Sequence, residues 1–421
     1  MSAGSGSAGN VRAGSAGNVV IVGASLAGAK AAETLRKEGF DGGVVLVGEE
    51  PARPYERPPL SKDLLRGDVG AEKAYVHDEG FYADSGIDLR LSCRVESVDV
   101  GARRVALSGG EQVPYDSLLL ATGAAPRRLS LPGADRSGIH YLRTLADAEG
   151  LAAAIRSAGR VAVIGAGWIG SEVAASARQM GAEVSMVEAA PLPLVRVLGP
   201  ELGAFYRDVH ADHGVDLHMG VGLKELRGSA SGAVEEVVLV DGTVIAADVV
   251  VVGVGVSPRV ELAEAAGLDL DNGVVTDQFL AASAPGVYAA GDVASAWHPV
   301  LERRVRLEHW SSALNQGPVA ARNILGGAVP YEKLPYFFSD QYDVGMEYTG
   351  LATDWDEVVF RGDPATRQFI AFWLKDGRVQ AGMNVNVWDV TDAIGELVRS
   401  RRPVERARLA DADVDLGAVL G

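Results

Sequence analysis

Two glycine-rich turns are the segments whose residue types and spacing indicate chemistry most directly. Residues 23–28 read GASLAG and residues 165–170 read GAGWIG. Glycines in such a turn let the backbone approach a diphosphate group, and the free N–H groups of the following helix face its negative charge. Each turn therefore predicts a site for the pyrophosphate of a dinucleotide. The predicted positions are Gly23, Ser25 and Gly28 in the first turn, and Gly165, Gly167 and Gly170 in the second.

The segments around both turns support this interpretation. Each turn follows a β-branched run, VVIV at 19–22 and VAVI at 161–164, and precedes an alanine-rich stretch with helical periodicity. A single glycine-rich match is weak evidence, whereas two in a strand–turn–helix context are strong. Ser25 stands where the first turn would carry its middle glycine. Because serine is small, this departure strains the close approach of a diphosphate without excluding it.

An acidic residue ends the second strand of each unit, Glu49 directly after VVLVG and Glu188 as the last residue of VSMVE. An acid at this position binds the ribose hydroxyls of a dinucleotide. Glu188 should accept from the 2′-hydroxyl of NADH and repel the 2′-phosphate of NADPH. Ala189 and Ala190 follow it, so no adjacent arginine offsets that repulsion, and we expect a preference for NADH. Two such sites in one chain predict two cofactors that exchange electrons, a bound flavin at the first and a nicotinamide at the second.

Composition and charge exclude several other classes of protein. The 421 residues carry 39 Lys and Arg against 56 Asp and Glu, a net charge of −17. Binding to nucleic acid or to an anionic membrane needs clustered positive charge, so neither partner is expected. The single cysteine, Cys93, excludes an intrachain disulfide and a cysteine-based metal cage, which fits a cytoplasmic protein. No apolar run approaches the ~20 residues of a spanning helix.

The order of the segments along the chain predicts its domain organisation. Residues 1–18 are small and polar and predict a flexible tail. Two doubly wound α/β units follow, and from residue 329 aromatic residues and alternating runs predict a smaller α+β C-terminal domain. The predicted boundaries are 19–125 with 257–328 for a discontinuous FAD-binding domain, 126–256 for an NAD-binding domain, and 329–421 for the C-terminal domain.

Several further segments carry a family resemblance. RPYERPPLSKDLL (53–65), ATGAAPR (121–127), GVYAAGDVA (286–294), RVRLEHWSSALNQG (304–317) and PYFFSDQYD (335–343) resemble the FAD-dependent ferredoxin reductases of the putidaredoxin-reductase type. The resemblance covers all but the first 18 residues. It implies a glutathione-reductase-like fold that carries electrons from NADH, through bound FAD, to a [2Fe–2S] ferredoxin serving a cytochrome P450 or an oxygenase. A monomer or weak dimer is expected.

The resemblance also implies roles for individual residues. Lys62 matches the lysine beside the flavin ring, Glu172 the glutamate that pairs with it near the nicotinamide, and Trp310 the residue that covers the reactive region of the flavin. The alternatives are a solvated helix acid for Glu172 and a core side chain for Trp310. Asp292 matches the aspartate that binds the ribityl chain, with a plain helix cap as its alternative. Further implied cofactor contacts are Ala24, Arg57, Val95, Thr122, Arg143, Ile169 and Gly255.

Other side chains predict no additional chemistry. Disulphide reductases of this fold carry a cysteine pair beside the flavin, and related oxidases a single redox cysteine in the segment that reads RPPLSK here. Cys93 lies in a different, strand-like segment and is interpreted as a structural thiol. His210, His213 and His218 match no metal-ligand spacing and are interpreted as surface histidines, so no metal site is predicted.

The acceptor and its docking site stay open at this stage. A rubredoxin reductase or a monodehydroascorbate reductase would share the fold and the flavin half-reaction. A protein similar to apoptosis-inducing factor would be a non-enzymatic alternative, but the acidic composition disfavours it. An acidic ferredoxin would need local basic patches on this acidic chain. The candidates are Arg127, Arg128, Arg303, Arg304, Arg306, Arg399, Arg401 and Arg402.

Overall fold

A computed structural model describes residues 17–229 and 232–420. The strands of the first half are β1 (Asn18–Val22), β2 (Gly43–Val47), β3 (Ile87–Arg90), β4 (Val95–Asp99), β5 (Arg104–Leu107), β6 (Gln112–Pro114), β7 (Ser117–Leu120), β8 (Ala124–Pro126), β9 (Ile139–His140), β10 (Arg160–Ile164), β11 (Glu183–Glu188) and β12 (Asp216–Met219). Those of the second half are β13 (Leu223–Gly228), β14 (Val234–Leu239), β15 (Val244–Ala246), β16 (Val249–Val252), β17 (Val256–Pro258), β18 (Val274–Thr276), β19 (Val287–Ala289), β20 (Ala294–His298), β21 (Arg303–Val305), β22 (Tyr336–Gln341), β23 (Val344–Gly350), β24 (Glu357–Asp363), β25 (Gln368–Lys375) and β26 (Arg378–Val385). The α-helices are α1 (Leu26–Lys37), α2 (Asp63–Arg66), α3 (Phe81–Asp84), α4 (Leu145–Ser157), α5 (Trp168–Gln179), α6 (Val195–Asp212), α7 (Glu261–Ala265), α8 (Trp310–Ile324), α9 (Thr391–Ser400) and α10 (Arg406–Ala410).

Two parallel five-stranded sheets carry the two glycine-rich turns. The first has the strand order β19-β7-β1-β2-β3, and the second has the order β12-β11-β10-β16-β9. In both sheets the central strand, β1 or β10, is buried along all but its first residue. A strand covered on both faces must be apolar throughout, which explains the continuous Val and Ile runs. The ligand crevice of such a sheet lies beyond the carboxyl ends of its strands.

The chain leaves the first unit and returns to it after the second. Strand β19 joins the first sheet although it follows the whole second unit in sequence. The antiparallel pair β8–β17 lies where the chain leaves and returns, with Ala124 opposite Pro258 and Pro126 opposite Val256. This pair falls at the predicted boundaries near residues 125 and 257, and the full division into domains stays a prediction.

The C-terminal part is an antiparallel sheet with the order β22-β23-β26-β25-β24, covered by α9. Its other face packs on α6 of the second unit. Tyr206 of α6 and Trp373 of β25 are fully buried in this contact, and the Trp373 indole N–H donates to the Leu198 carbonyl at 3.0 Å. Helix α6 bends at Gly199 and Pro200, and its last turn reaches the β22–β23 hairpin.

These observations confirm the predicted fold class of two doubly wound α/β units with a smaller α+β C-terminal part. Strand β1 begins at Asn18, whose backbone N–H donates to Asp116 at 2.7 Å, one residue before the predicted start of the fold at Val19. Residues 1–16 of the predicted flexible tail lie outside the described residues. Within the described residues, no helix combines the length and apolar character needed to cross a membrane.

Candidate active site

One cavity of about 800 Å³ joins the two nucleotide-binding units. Its wall is formed by the first glycine-rich turn, the segment around Lys62, part of the second turn and the start of α8. The predicted site residues that line it are Gly23, Ala24, Ser25, Glu49, Arg57, Lys62, Val95, Thr122, Arg143, Gly167, Ile169, Glu172, Gly255, Asp292 and Trp310. Four predicted residues lie outside the lining, namely Gly28, Gly165, Gly170 and Glu188.

The last glycine of each turn lets the helix pack against the turn itself. A Cβ atom on Gly28 would lie 2.1 Å from the Gly23 carbonyl oxygen, and one on Gly170 would lie 1.9 Å from that of Gly165. No side chain fits at these separations, so both positions require glycine. The two turns therefore have the same construction, and both present the backbone N–H groups of a helix N-terminus to the carboxyl end of a parallel sheet.

Glu188 ends β11 beside the second turn. Its carboxylate accepts from the backbone N–H groups of Ala166 and Ala190, each at 2.8 Å, which orients it next to the turn. The sequence placed no arginine directly after Glu188, but α6 brings the exposed Arg196 to 4.0 Å from its carboxylate. The turn between β11 and α6 creates this proximity, which the linear sequence does not reveal.

Lys62 and Glu172 form a buried ion pair between the two units. Lys62 is the N-cap residue that precedes the short helix α2, and Glu172 lies on α5. Their charged groups are 3.0 Å apart, with at most 9% of either side chain exposed. The Glu172 carboxylate also accepts from the hydroxyls of Ser61 and, at 2.7 Å, Ser339. The alternative of a solvated helix acid for Glu172 is therefore wrong, because α5 packs this face against α2 and β22.

Trp310 begins α8 at the same end of the cavity. Its ring lies edge-on to Phe338 at 5.9 Å, and the ammonium group of Lys62 lies 5.1 Å from the centre of the Phe338 ring. His309 precedes Trp310, stacks obliquely on Phe337, and lines the cavity. Burial lowers the pKa of His309 to about 4, so its imidazole is neutral at neutral pH. No sequence pattern predicted a role for His309, which lies in the RVRLEHWSSALNQG segment.

Two ion pairs lie along the middle of the cavity. Arg57 pairs with Glu50 at 3.0 Å, and Arg143 pairs with Asp292 at 2.7 Å. Burial lowers the pKa of Arg143, and Asp292 opposes this shift. Asp292 lies in a short helical turn after β19, and one of its carboxylate oxygens accepts a hydrogen bond from Arg143. The contact of Asp292 with a ribityl chain stays a prediction. The pairing of Glu50 with Arg57 was not expected from the sequence.

Two interpretations of single side chains need revision. Cys93 does not lie in a strand: it lies between β3 and β4, donates its backbone N–H to the Gly48 carbonyl at 2.9 Å, and lines the cavity near Glu49. His210 is not a surface residue, because it is fully buried between α6 and the β22–β23 hairpin. The residues next to His210 in the sequence do not predict its burial, because the residues that cover it belong to the C-terminal sheet.

The arginines proposed as docking residues divide into two groups. Arg303, Arg304 and Arg306 are partly buried and donate to the backbone carbonyls of Leu351, Thr276, Ser295 and Asp292, so they serve the fold. The exposed members are Arg127, Arg128, Arg399, Arg401 and Arg402. The Arg127 backbone N–H donates to the carbonyl of Gly255, which lines the cavity, and the Arg128 guanidinium lies 4.2 Å from the centre of the Tyr141 ring. Arg399 and Arg401 donate to carbonyls of distant loops.

The cavity fits a large dinucleotide in three respects. The first turn offers a helix N-terminus next to a glycine with φ of +120°, Glu49 lies near that turn, and the Nδ1 atom of His309 is buried with no partner among the described residues. A buried polar atom without a partner is costly unless a bound group satisfies it. Within the described residues no cluster of His, Cys, Asp and Glu could hold a metal ion.

The fold and the cavity are those of an oxidoreductase that binds two nucleotides, and sequence comparison identifies its family. The chain belongs to the pyridine nucleotide-disulphide oxidoreductase family, whose model matches residues 17–317. A reductase C-terminal model matches residues 336–420. The chain is therefore an oxidoreductase that uses FAD and a nicotinamide nucleotide, as the two turns predicted.

Individual relatives narrow the class further. The ferredoxin–NAD(+) reductase component of the anthranilate 1,2-dioxygenase system from Burkholderia cepacia is 41% identical over 407 residues, covering 96% of this chain and 100% of the relative. The rubredoxin–NAD(+) reductase of Pseudomonas putida is 35% identical, covering 90% and 99%. The reductase in a solved covalent putidaredoxin reductase–putidaredoxin complex is 37% identical, with a TM-score of 0.92 and coverage of 96% and 98%. The predicted resemblance to the ferredoxin reductases is thus confirmed.

Proposed function

We propose that this protein passes electrons from NADH, through bound FAD, to a [2Fe–2S] ferredoxin that serves a cytochrome P450 or an oxygenase. The observation that carries the proposal is the single cavity shared by both nucleotide-binding units, with the Lys62–Glu172 pair and Trp310 at their junction. Direct electron transfer between two bound cofactors would require their binding sites to meet, and the two units meet at this cavity. The ferredoxin-linked relatives support this choice of acceptor.

The chain's own residues have separate proposed tasks. The first turn, Glu49 and the Arg143–Asp292 pair hold FAD, while the second turn and Glu188 hold NADH. When bound, FAD accepts a hydride from NADH and releases the two electrons one at a time. Lys62 supplies a fixed positive charge beside the flavin ring, and it acts in a water-poor site where such a charge is stronger than in bulk water.

Trp310 and Phe338 have a steric task in this scheme. Together with Phe337 they form an aromatic wall at the nicotinamide end, and this wall orients flat rings and excludes water. Glu172 holds Lys62 in place by its ion pair. No nucleophile or metal ligand is needed from the chain, since the cofactors carry out the redox chemistry.

The acceptor is tested with purified holoprotein. NADH oxidation is followed with cytochrome c as the terminal dye, with and without an added [2Fe–2S] ferredoxin, and then with a rubredoxin or monodehydroascorbate in its place. We expect the ferredoxin to accelerate dye reduction most. Faster turnover with rubredoxin would favour the second candidate, which the 35% identical rubredoxin–NAD(+) reductase makes a specific alternative.

Docking to an acidic ferredoxin is proposed to use the exposed Arg127 and Arg128, which directly follow the cavity-lining Pro126. Such steering weakens as salt screens it over ~10 Å at 0.1 M ionic strength. We expect Arg128→Gln to slow ferredoxin reduction at low salt, and Arg104→Gln, an exposed change on β5, to leave it unchanged. Equal rates for the two variants would count against this surface.

Location and oligomeric state complete the proposal. We propose a cytoplasmic protein, supported by the single cysteine, which suits a reducing compartment. We also propose a monomer or weak dimer. Sedimentation of the holoprotein over a range of concentrations tests this, and a stable larger assembly at low concentration would contradict it.

A further inference from the structure

A continuous chain of hydrogen bonds leads away from Glu172 into the protein interior. The Ser339 hydroxyl donates to the Glu172 carboxylate at 2.7 Å, and the side-chain amide of Gln341 donates to Ser339 Oγ at 3.2 Å. The Oε1 atom of Gln341 lies 3.1 Å from His210 Nε2, and His210 Nδ1 lies 3.3 Å from the hydroxyl of Tyr342. Its members come from α5, α6, β22 and the turn between β22 and β23, which carries Tyr342.

The charge on Glu172 fixes the direction of every bond in this chain. An ionised carboxylate only accepts, so Ser339 must donate to it and accept from the Gln341 amide nitrogen. The Gln341 oxygen then accepts, so His210 must carry its proton on Nε2. His210 Nδ1 is left to accept from the Tyr342 hydroxyl. All four donors therefore point toward Glu172, and bonds aligned in one direction polarise one another.

The members are shielded from water. Ser339 and Gln341 are each 1% exposed, and His210 is 0% exposed. Burial lowers the pKa of His210 to about 4, which keeps the ring neutral and leaves Nδ1 free to accept. The alternation of β22 causes this arrangement, because residues 339 and 341 lie on the same buried face of the strand.

We propose that His210 is a positioning residue that acts through Gln341 and Ser339 to hold the Glu172 carboxylate directed at Lys62. This inference rests on the proposed role of the Lys62–Glu172 pair at the nicotinamide site. The chain does not conduct protons, because the Gln341 amide donates a hydrogen bond without releasing its proton at neutral pH. It acts as a set of oriented dipoles, the arrangement that orients a charged group most firmly in a low dielectric.

The outer end of the chain meets charged groups at the protein surface. His213 stacks on the Tyr342 ring at 3.7 Å, and its Nε2 lies 3.4 Å from Asp343, which is also bound by Arg367. The titratable or charged groups around His210 from all packed elements are Tyr206, Asp212, His213, Tyr342, Asp343 and Arg367. Arg367 pairs with both Asp212 and Asp343, so these three charged groups form ion pairs outside the buried hydrogen bonds.

The first test examines the hydrogen bonds between Tyr342 and Glu172 directly, without enzyme turnover. Holoprotein containing isotope-labelled histidine is titrated by NMR over roughly pH 5 to 8, the range in which an ordinary histidine protonates. We expect His210 to stay neutral with its proton on Nε2, and Ser339→Ala, but not Ser339→Thr, to shift its ring signals. A proton on Nδ1, or protonation near the ordinary value, overturns the proposal.

The second test reads the consequence for the ion pair. We expect Ser339→Ala and Gln341→Ala to slow the bleaching of the holoprotein by NADH about tenfold, the effect of losing one charge-assisted hydrogen bond, with Ser339→Thr restoring the rate. Thr349→Val is the matched control, because it removes from the neighbouring strand β23 a buried hydroxyl that has no partner among the described residues. A rate for Ser339→Ala equal to that of Thr349→Val overturns the proposal.

Glu172→Gln separates this proposal from the function on which it rests. If Glu172→Gln slows bleaching and Ser339→Ala does not, the ion pair matters and the positioning chain is refuted. If Glu172→Gln also leaves the rate unchanged, the proposed role of the pair fails and the positioning role fails with it. Because the NMR measurement is independent of rate, it reports the direction of the chain in either case.

Discussion

Lys62 and Glu172 come from different nucleotide-binding units, 110 positions apart in sequence, yet their charged groups lie 3.0 Å apart in the interior. The pair links α2 of the first unit to α5 of the second, at the wall of the shared cavity. Breaking a buried pair by removing one partner leaves an uncompensated charge in a low dielectric. The pair therefore stabilises the packing of the two units against each other as well as the geometry of the site.

This arrangement predicts a large loss of stability for one substitution. We expect Lys62→Met to lower the free energy of unfolding by about 3–5 kcal/mol, and the double variant Lys62→Met/Glu172→Gln to recover much of it. Chemical denaturation of the holoprotein measures both. Arg160→Met is the control, because its pair with Asp248 is more than a third exposed on both sides and should cost about 1 kcal/mol or less. Equal losses for Lys62→Met and Arg160→Met would contradict the prediction.

The second glycine-rich turn allows packing and nucleotide binding to be separated. A Cβ on Gly170 would lie 1.9 Å from a backbone oxygen, whereas one on Gly167 meets no atom within 4 Å and its φ of −80° suits alanine. We expect Gly170→Ala to lower the melting temperature. Gly167→Ala should leave the melting temperature unchanged while raising KM for NADH, because the added methyl group would occupy the place of the pyrophosphate. A large stability loss in Gly167→Ala would show that this interpretation of the turn is incorrect.

Nucleotide choice should depend on Glu188 and Arg196. We expect Glu188→Ala to shift the ratio of kcat/KM for NADPH over NADH upward by about tenfold or more, because the repulsion of the 2′-phosphate disappears. Arg196, now 4.0 Å from Glu188, would then be free to bind that phosphate. In Glu188→Ala/Arg196→Ala part of the gain should vanish. Steady-state kinetics with both nucleotides check this, and a wild-type preference for NADPH would rule it out.

Buried histidines predict a loss of stability in mild acid. The pKa of His210 is about 4 in the folded state against about 6.5 in an unfolded chain. The unfolded state thus binds more protons between these values, so the stability that His210 contributes is fully present above about pH 6.5 and is lost as the pH falls toward 4. We expect His210→Gln to flatten the dependence of urea unfolding on pH in this window. An unchanged pH dependence of unfolding in His210→Gln would contradict this prediction.

Local rules explain what could be predicted from the sequence. A glycine that must touch backbone, an acid that ends a strand and a β-branched run on a fully buried strand are constraints within about thirty residues of chain. For that reason the sequence alone predicts the two turns, Glu49, Glu188, the fold class and the two cofactors. Lys62, Glu172 and Trp310 needed the family resemblance as well, because each is an ordinary residue in its own segment.

The remaining features depend on contacts that no local pattern encodes. Ser339 meets Glu172 across 167 positions, and His210 meets Gln341 across 131. The sequence predicts a surface position for His210 because the residues that cover it belong to the C-terminal sheet. It shows no arginine directly after Glu188, and only the turn between β11 and α6 brings Arg196 to 4.0 Å from that carboxylate. The amino-acid sequence by itself determined the two dinucleotide cradles, since each is built by neighbours along the chain. Only the tertiary structure decided which side chains surround the reacting groups, because burial and hydrogen-bond direction arise when separate units pack together.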